Sequence, residues 1–459
     1  MDRSPLLVPD HEFRLPNGLH VVLSEDHLNP VAAVCVWYHV GSRDERPGRT
    51  GLAHLFEHLM FQGSAQVPGN GHFEAVQAGG GQPNGTTGFE RTNYFETVPA
   101  HQLELTLWLE ADRMGSLLDA LTEQALDNQR AVVKNERRQR YDNVPYGTVW
   151  EHLMAMLHPP THPYHHMPIG SMADLDAATL DDARAFFRTH YAPSNAVLAV
   201  VGDIDPVRTR AWVEKYFGSL PDCPTAGGGT ETAVRGPLPD PVPGERRAVL
   251  RHPVPSAALM CAYRMPVDGT READAAEVAL AVLGAGESSR LATRLVLDDQ
   301  NALKVSMGLM RFAHAPSLGW LDIKASGRGD LPAVEAALDE EIARFAAEGP
   351  TKDELDRARA HLSRKHLDAS ATVGGRADLL CRYATFFGTA AGAAGSLPRL
   401  LDVTAAEARA AAAHLDPANR SVLLYEPPPR NHTPGAGPRP EPAPDPSPAT
   451  APTGRTADR

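Results

Sequence analysis

Length, composition and charge exclude several classes of function. The chain has 459 residues, of which 42% are hydrophobic and 22% charged, which is typical of a globular protein with two or three domains. A formal net charge of −13, with no basic stripe to offset it, argues against a nucleic-acid partner and against binding to an anionic membrane surface.

The N-terminus and the cysteines bear on location. The first residues contain no apolar stretch of signal-peptide length, and no apolar run reaches the ~20 residues needed to cross a bilayer. The four cysteines lie far apart without a Cys-x-x-Cys pair, so neither a disulfide framework nor a cysteine zinc site is indicated. We therefore expect a cytoplasmic protein with no membrane partner.

The first half alternates strand and helix patterns. Residues 19–23 and 31–40 are rich in β-branched and aromatic side chains and predict strands, and the run 51–61 predicts a helix. A Gly-rich loop at 78–85 then precedes a second β-rich stretch, residues 90–98. The later elements of this half are helices near 102–118, 121–141 and 180–191 and an apolar strand at 196–202.

The helix at 51–61 carries a metal-binding pattern. His54, Glu57 and His58 stand at i, i+3 and i+4 and therefore share one helix face. Two imidazoles one turn apart can hold a single Zn²⁺, and a glutamate on the same face can act as general base toward a metal-bound water. The order His-x-x-Glu-His is the inverzincin motif, so the pattern predicts a zinc-dependent hydrolase.

A hydrolytic zinc site usually needs a third protein ligand and an open position for water. The best candidate is Glu136, on the predicted helix 121–141. It falls on the face that carries Val132 and Val133, which we expect to be buried. An ionised carboxylate on an apolar face is costly unless it is paired or binds a cation. The sequence therefore favours Glu136 as the third ligand.

The second half repeats the order of the first. Its predicted elements are a strand at 257–265, a helix at 272–284, strands at 304–312 and 318–325, and helices at 331–347 and 351–369. The pattern His-x-x-Pro-x-Asn occurs twice, from His190 to Asn195 and from His414 to Asn419, each time between an Ala/Arg-rich helix and an apolar strand. We interpret this as a tandem duplication of one α+β unit. Two chance turns of the same type are the alternative.

The duplication predicts the domain boundaries. An N-terminal domain covers residues 1–220, and a Pro- and Gly-rich interdomain linker covers 221–246. A C-terminal domain covers 247–426, and the Pro-rich tail 427–459, which has few large apolar residues, is expected to be disordered.

Several longer motifs surround the histidines. They are Gly51–Gly63 around the pentapeptide, Asn84-Gly-Thr86, Arg91-Thr-Asn-Tyr-Phe95, Leu107–Met114 and Val132-Val-Lys-Asn-Glu136-Arg-Arg. On these motifs the chain resembles M16 zinc metallopeptidases of the pitrilysin and insulinase type, in the short two-domain class that includes the mitochondrial processing peptidase. The resemblance covers roughly residues 10–425.

The resemblance implies a set of site residues. His54, His58 and Glu136 would bind one Zn²⁺ per chain, and Glu57 would be the catalytic base. Many family members carry a glutamate seven residues before the third ligand, where this chain has Gln129. Gln129 could still form a hydrogen bond around the site, but it adds no negative charge.

The resemblance also implies a fold and a way of binding substrate. The expected fold is α+β, with two tandem homologous domains, each a largely antiparallel sheet with helices on one side, together forming half of a clamshell. The stretch 90–98 resembles the edge strand with which the family pairs substrate backbone. Asn84, Thr92 and Tyr94 are the residues we expect to bind substrate there, an ordinary sheet edge being the alternative.

The expected activity is zinc-dependent endopeptidase cleavage of unfolded peptides or small polypeptides inside a dimeric chamber. Complete clamshells of this family pair the zinc half with an Arg and a Tyr from the other half. The corresponding stretch here, 289–305, contains no tyrosine. We therefore expect a heterodimer with a paralogous M16 subunit that supplies this pair, with a homodimer as the alternative. A non-catalytic scaffold subunit is the competing function.

Overall fold

Two β-sheets organise the part of the chain that the computed structural model describes, residues 8–222, 238, 244–327 and 330–428. The strands of the first sheet are β1 (His11–Arg14), β2 (His20–Glu25), β3 (Val31–Tyr38), β4 (Gln82–Thr87), β5 (Thr92–Pro99) and β6 (Ala196–Gly202). Those of the second are β7 (Arg246–Arg251), β8 (Ala258–Met265), β9 (Ala302–Met310), β10 (Ser317–Ala325) and β11 (Arg420–Glu426).

Helices surround both sheets. Those of the first half are α1 (Leu52–Leu59), α2 (Gly71–Ala78), α3 (Leu103–Ala120), α4 (Glu123–Arg137), α5 (Val149–Leu157), α6 (Met172–Ala177), α7 (Leu180–His190) and α8 (Pro206–Phe217). Those of the second half are α9 (Arg271–Gly284), α10 (Arg290–Ala292), α11 (Leu331–Glu348), α12 (Lys352–Ala369), α13 (Val373–Phe387), α14 (Ser396–Leu401) and α15 (Ala405–Ala410).

The two sheets share one topology. The first has the order β1-β2-β6-β3-β5-β4 and the second the order β7-β11-β8-β10-β9. In each sheet the pairing is antiparallel except for one parallel pair, β2 with β6 and β7 with β11. Apart from the extra strand β1, each strand of the first sheet therefore has a counterpart in the second. This agreement confirms the predicted fold of two related α+β units.

The repeated sequence pattern forms the same turn in both halves. The Asn195 side-chain amide donates to the carbonyl oxygens of His190 and His39, at 2.8 and 3.3 Å. The Asn419 amide donates to those of His414 and Arg264, at 2.7 and 2.8 Å. Each asparagine thus closes the turn before the central strand and ties it to the neighbouring strand.

The halves exchange helices across their sheets. On one face each sheet packs against helices of its own half, as predicted. The other face of the first sheet is covered by α13, whose Ala377, Leu380 and Cys381 contact the core residues Cys35 and Trp37. The second sheet is covered in the same way by α5 from the first half. Described residues up to Pro427 therefore form one compact unit, a feature that the sequence did not predict.

The predicted edge strand is wrong. The stretch 90–98 contains β5, which pairs with β3 on one side and β4 on the other, so it lies inside the sheet. The outermost strand on this side is β4. The prediction of a loop at 78–85 is wrong for residues 82–85, which belong to β4. The strand was missed because this segment lacks the β-branched pattern by which strands are recognised.

The structure bears little on the predicted linker, 221–246, and on the predicted Pro-rich tail, 427–459. The linker and the Pro-rich tail lie almost entirely outside the described residues. Within the described ranges, no helix combines the length and apolar character needed to span a membrane.

Candidate active site

Helix α1 presents the three residues of the His-x-x-Glu-His motif. Its apolar face is fully buried, with Leu55, Phe56 and Leu59 in the core of the first half. The histidines project from the other side, where the His54 and His58 side chains remain 12% and 22% exposed. Because the buried face is fixed by packing, the side from which the two histidines leave the helix is fixed as well.

A buried carboxylate holds the start of α1. Glu45 accepts hydrogen bonds from the backbone N–H groups of Gly51 and Ala53, at 2.9 and 2.7 Å. It thereby satisfies donors that have no partner within the helix and places a negative charge at the positive end of the helix dipole. His166 contacts the same carboxylate at 2.7 Å. The histidine-rich segment around His166 therefore packs as a loop that supports α1.

Helix α4 brings Glu136 to the two histidines. Its Oε2 lies 3.6 Å from His54 Nε2 and 3.4 Å from His58 Nε2. Two ligand atoms bound at about 2.1 Å to one tetrahedral zinc lie about 3.4 Å apart. Both histidine–glutamate separations therefore match those of ligands that share one zinc ion, which these three residues would hold with a fourth position left for water.

The environment of Glu136 differs in part from the expectation. Val133 is fully buried, but Val132 is 45% exposed, so the apolar face of α4 is narrower than the sequence suggested. The Glu136 side chain is 17% exposed, and its Oε1 pairs with the exposed Arg140 at 2.7 Å. One carboxylate oxygen thus meets Arg140, and the other faces the histidines.

Protonation states favour metal binding. Burial, together with the neighbouring His58, lowers the pKa of His54 to about 4, so the imidazole is neutral at neutral pH. A hydrogen bond from His58 lowers the pKa of Glu136 and keeps its carboxylate ionised. Neutral imidazole and ionised carboxylate are the forms that bind metal.

Glu57 is held by a residue that the sequence did not single out. Its Oε2 accepts a hydrogen bond of 2.5 Å from the Thr87 hydroxyl, on β4. Burial raises the pKa of Glu57, while the Thr87 hydrogen bond lowers it. Ligand atoms of Glu57 and both histidines all lie within 4.8 Å of one another. A carboxylate this close to the candidate metal position is suited to proton transfer.

The site opens into a cavity of about 870 Å³. One wall consists of α1, β4 and Glu136. Side chains of the second half form another part of the wall, namely Met310, Arg311, Phe312, Asp378, Arg382 and Phe386. No motif marks these residues, because they reach the cavity through the packing of α13 and of the loop after β9.

The three predicted substrate-binding residues have different surroundings. Asn84 lies on β4 and lines the cavity. Thr92 and Tyr94 are fully buried, so the prediction that they bind substrate is wrong. The Thr92 hydroxyl donates to the Val40 carbonyl oxygen, and the Tyr94 hydroxyl bonds to that of Tyr191. The two residues are two positions apart on β5 and therefore point to the same face of the sheet, where Tyr94 belongs to the core of the first half.

Gln129 lies on α4, two turns before Glu136, and is partly buried. Within the described ranges its side chain forms no hydrogen bond to a residue of the site. A supporting role for Gln129 stays a prediction.

A second group of metal-binding residue types lies in the core, formed by His72, Glu96 and Glu110. The buried Arg113 guanidinium pairs with both glutamates. Burial raises the pKa of Glu110 to about 8, so this carboxyl is largely protonated at neutral pH. The negative charge of the group is thus offset by Arg113 and by protonation of Glu110, and none of its residues lines the cavity.

Comparison with known proteins agrees with this geometry. Residues 20–161 match the family model described as insulinase (peptidase family M16), and residues 177–362 match the one described as peptidase M16 inactive domain. The zinc protease PqqE of Helicobacter pylori is 31% identical over 381 residues, which cover 80% of this chain and 82% of that protein. The probable mitochondrial-processing peptidase subunit beta of Arabidopsis thaliana is 29% identical over 211 residues, covering 46% and 39%.

A solved structure extends the agreement to the fold. The crystal structure of a protease from Helicobacter pylori matches with a TM-score of 0.83 at 27% identity, covering 92% of this chain and 100% of that one. The shared topology and the sequence matches extend over both halves of the chain. The protein therefore belongs to peptidase family M16, the insulinase family, among whose members its relatives are named zinc proteases.

Proposed function

We propose that this chain is a zinc-dependent endopeptidase of the His-x-x-Glu-His type. His54, His58 and Glu136 would hold one Zn²⁺, and Glu57 would be the general base. The observation that carries the proposal is the convergence of both histidine Nε2 atoms on one Glu136 oxygen, at 3.6 and 3.4 Å, beside Glu57 and at the wall of a cavity.

The residues around Glu57 suggest how protons move. Bound zinc would supply Lewis-acid activation of the attacking water and of the scissile carbonyl. Glu57 Oε2 is held by the Thr87 hydroxyl at 2.5 Å, which leaves Oε1 to accept the proton of the attacking water. The same carboxyl then returns a proton to the leaving amine. Its burial, which raises its pKa, makes it a stronger base than an exposed glutamate.

Substrate would bind along β4. This strand is outermost in its sheet, and its residues 84–87 line the cavity next to α1. An extended peptide can add to such an edge through backbone hydrogen bonds, which give affinity with little dependence on sequence. Asn84 could then orient the peptide. A cleft of this kind would accept unfolded peptides and small polypeptides rather than folded proteins.

The proposed function also includes a partner subunit. In the stretch 289–305, which would carry the family's substrate-binding arginine, Arg290 pairs with Glu354 and Arg294 with Asp299, both at 2.7 Å. These guanidinium groups are therefore engaged within the chain. We propose a heterodimer with a paralogous M16 subunit that supplies an Arg and a Tyr, with a homodimer as the alternative. The cytoplasmic location stays a prediction from the sequence.

Replacement of Glu57 tests the activity. The chain, purified without chelator, is assayed on a quenched-fluorescence peptide library, alone and together with a paralogous subunit. We expect about one zinc per chain in both the native protein and Glu57→Gln, and a loss of activity of about 10²- to 10⁴-fold in the variant. Full activity of Glu57→Gln would contradict the mechanism. Full activity of the chain alone would contradict the need for a heterodimer, and a chain without zinc would favour the scaffold function.

A further inference from the structure

One cation in the cavity wall has no acidic partner. Arg91 lies in the turn between β4 and β5, is partly buried and lines the cavity. Within the described ranges, no carboxylate oxygen lies within 4.0 Å of its guanidinium. Cations that leave water are usually paired with an acid, because an unpaired buried charge is strongly destabilising.

Hydrogen bonds fix the position of the guanidinium. Its Nη1 donates to the Thr86 carbonyl oxygen at 2.8 Å, to the Thr86 hydroxyl, and to Asn93 Oδ1 at 3.2 Å. Its Cζ lies 5.2 Å from the centre of the Trp37 ring, which adds a cation–π contact. The side chain is therefore held rigidly before any ligand arrives.

The Nε–Nη2 edge of the Arg91 guanidinium has no hydrogen-bond acceptor among the described residues. Within the described part of the chain, neither Nε nor Nη2 of Arg91 donates a hydrogen bond, and neither is among the nitrogens that are buried without a partner. Both therefore reach open space. The Nε–H and Nη2–H groups form the planar fork with which arginine binds a carboxylate through two parallel hydrogen bonds.

Nearby acids act on the Arg91 guanidinium only from a distance. Burial lowers the pKa of Arg91, whereas Asp378 and Glu57 raise it only through space. Asp378 Oδ1 accepts hydrogen bonds from Trp37 Nε1 and Asn93 Nδ2, both at 2.9 Å, and neither Asp378 oxygen lies within 4.0 Å of a guanidinium nitrogen of Arg91.

Three other arginines line the cavity, and each pairs with an acid. Arg140 pairs with Glu136 at 2.7 Å. Arg311 pairs with Asp268 at 2.7 Å and also with Asp274 and Glu277, and Arg382 pairs with Asp268. Their charges are thus balanced within the chain. Of the four, Arg91 alone has no carboxylate within 4.0 Å among the described residues.

Arg91 is anchored close to the residue that holds the proposed general base, Glu57. Its guanidinium is anchored on Thr86, and the neighbouring Thr87 holds Glu57. Successive residues of a strand are roughly 3.3 Å apart. A peptide extended along β4 would therefore bring a residue close to the cleaved bond within reach of Arg91.

We propose, on the basis of the endopeptidase function above, that the Nε–Nη2 edge of Arg91 binds a carboxylate of the peptide substrate. The enzyme would then prefer peptides that carry an acidic side chain, or a free C-terminus, within about three residues of the cleaved bond.

Matched peptides test this preference. Quenched peptides carry Glu or Gln at each of three positions on either side of the cleaved bond, and a further pair ends in a free or an amidated C-terminus. At one position we expect at least tenfold higher kcat/KM for Glu than for Gln, or for the free acid than for the amide. The two sets of peptides distinguish a side-chain carboxylate from a terminal one.

Variants assign the preference to Arg91. In Arg91→Gln the ratio should fall below threefold, because kcat/KM should fall much more for the acidic peptide than for the neutral one. Arg91→Lys, which keeps the charge but loses the fork, should lower the ratio at least threefold. Arg382→Gln is the control and should keep the native ratio, because Asp268 already neutralises Arg382.

Three outcomes would overturn the proposal. The first is a native kcat/KM ratio, acidic over neutral peptide, below threefold for every pair. The second is an unchanged kcat/KM ratio in both Arg91 variants, and the third is an equal loss of kcat/KM for acidic and neutral peptides. Failure of the endopeptidase function looks different, because the native chain would then cleave no peptide even together with the paralogous subunit. In that case, binding to Glu57→Gln decides: tenfold tighter binding of the acidic peptide, lost on adding Arg91→Gln, supports the carboxylate site, and equal binding of the two peptides refutes it.

Discussion

At the residue scale, the site combines groups whose charges are set by burial and by single hydrogen bonds. His54 is neutral because it is buried beside another histidine, and the contact with His58 lowers the pKa of Glu136. Glu57 is subject to two opposing effects, since burial raises its pKa and the Thr87 hydroxyl lowers it. Thr87 therefore controls how much of the base is ionised at a given pH.

Removal of the Thr87 hydroxyl should weaken catalysis without removing the metal. We expect Thr87→Val to lower kcat about tenfold, because a hydrogen bond to a charged group contributes about 1.5–3 kcal/mol and part of its role passes to water. The loss of this bond raises the pKa of Glu57 in the variant. The acidic limb of the kcat/KM profile should therefore move to higher pH, since the base is ionised only above its pKa.

Thr87→Ser is the matched control, because it keeps the hydroxyl, and it should restore both the rate and the native pH profile. Zinc content, measured by elemental analysis, should be the same in all three proteins. An acidic limb of Thr87→Val that coincides with the native one would show that the hydroxyl does not act on Glu57.

The sequence predicted part of this residue set. The spacing of His54, Glu57 and His58 was sufficient to place them on one face, because helical periodicity is a local property. Thr87 and Arg91 had no such signal, since their roles depend on the pairing of β4 with β5. Thr92 and Tyr94 were misassigned for the same reason, as a strand pattern does not reveal whether the strand is interior or at an edge.

At the scale of elements, the exchanged helices tie the two halves together. Helix α13 buries the outer face of the first sheet and also brings Asp378 and Arg382 to the cavity. Leu380, at its centre, is fully buried. The first half therefore depends on a helix of the second half both for its core and for part of its cavity wall.

We expect Leu380→Ala to lower the free energy of unfolding by about 2–5 kcal/mol, through lost burial and the cavity left behind. Leu367, on the neighbouring α12, is 37% exposed, and Leu367→Ala should cost less than about 1 kcal/mol. Denaturant titration followed by circular dichroism measures both. Equal effects of the two substitutions would contradict the account of α13 as a core helix.

Strands and helices were predictable from local patterns, and their arrangement was only partly so. The apolar strand 196–202 was predicted with its observed bounds, because a continuous β-branched run reports a central strand. The exchange of α5 and α13 was not predicted, since an amphipathic helix shows which face is buried but not against which sheet.

At the scale of the whole molecule, the two halves are similar units for which we propose different roles. Both carry the same sheet and the same asparagine-closed turn. The proposed zinc ligands lie only in the first unit, on α1 and α4, and the second contributes cavity wall. In this account one unit carries the chemistry and the other shapes the space in which substrate binds.

Crystals of the Glu57→Gln variant can test directly whether His54, His58 and Glu136 bind one zinc ion. Anomalous diffraction measured on both sides of the zinc absorption edge locates the metal without reference to activity. We expect one peak per chain, about 2.0–2.2 Å from His54 Nε2, His58 Nε2 and a Glu136 oxygen. A zinc-loaded crystal with no peak there, or with its peak at His72, Glu96 and Glu110 instead, would contradict it.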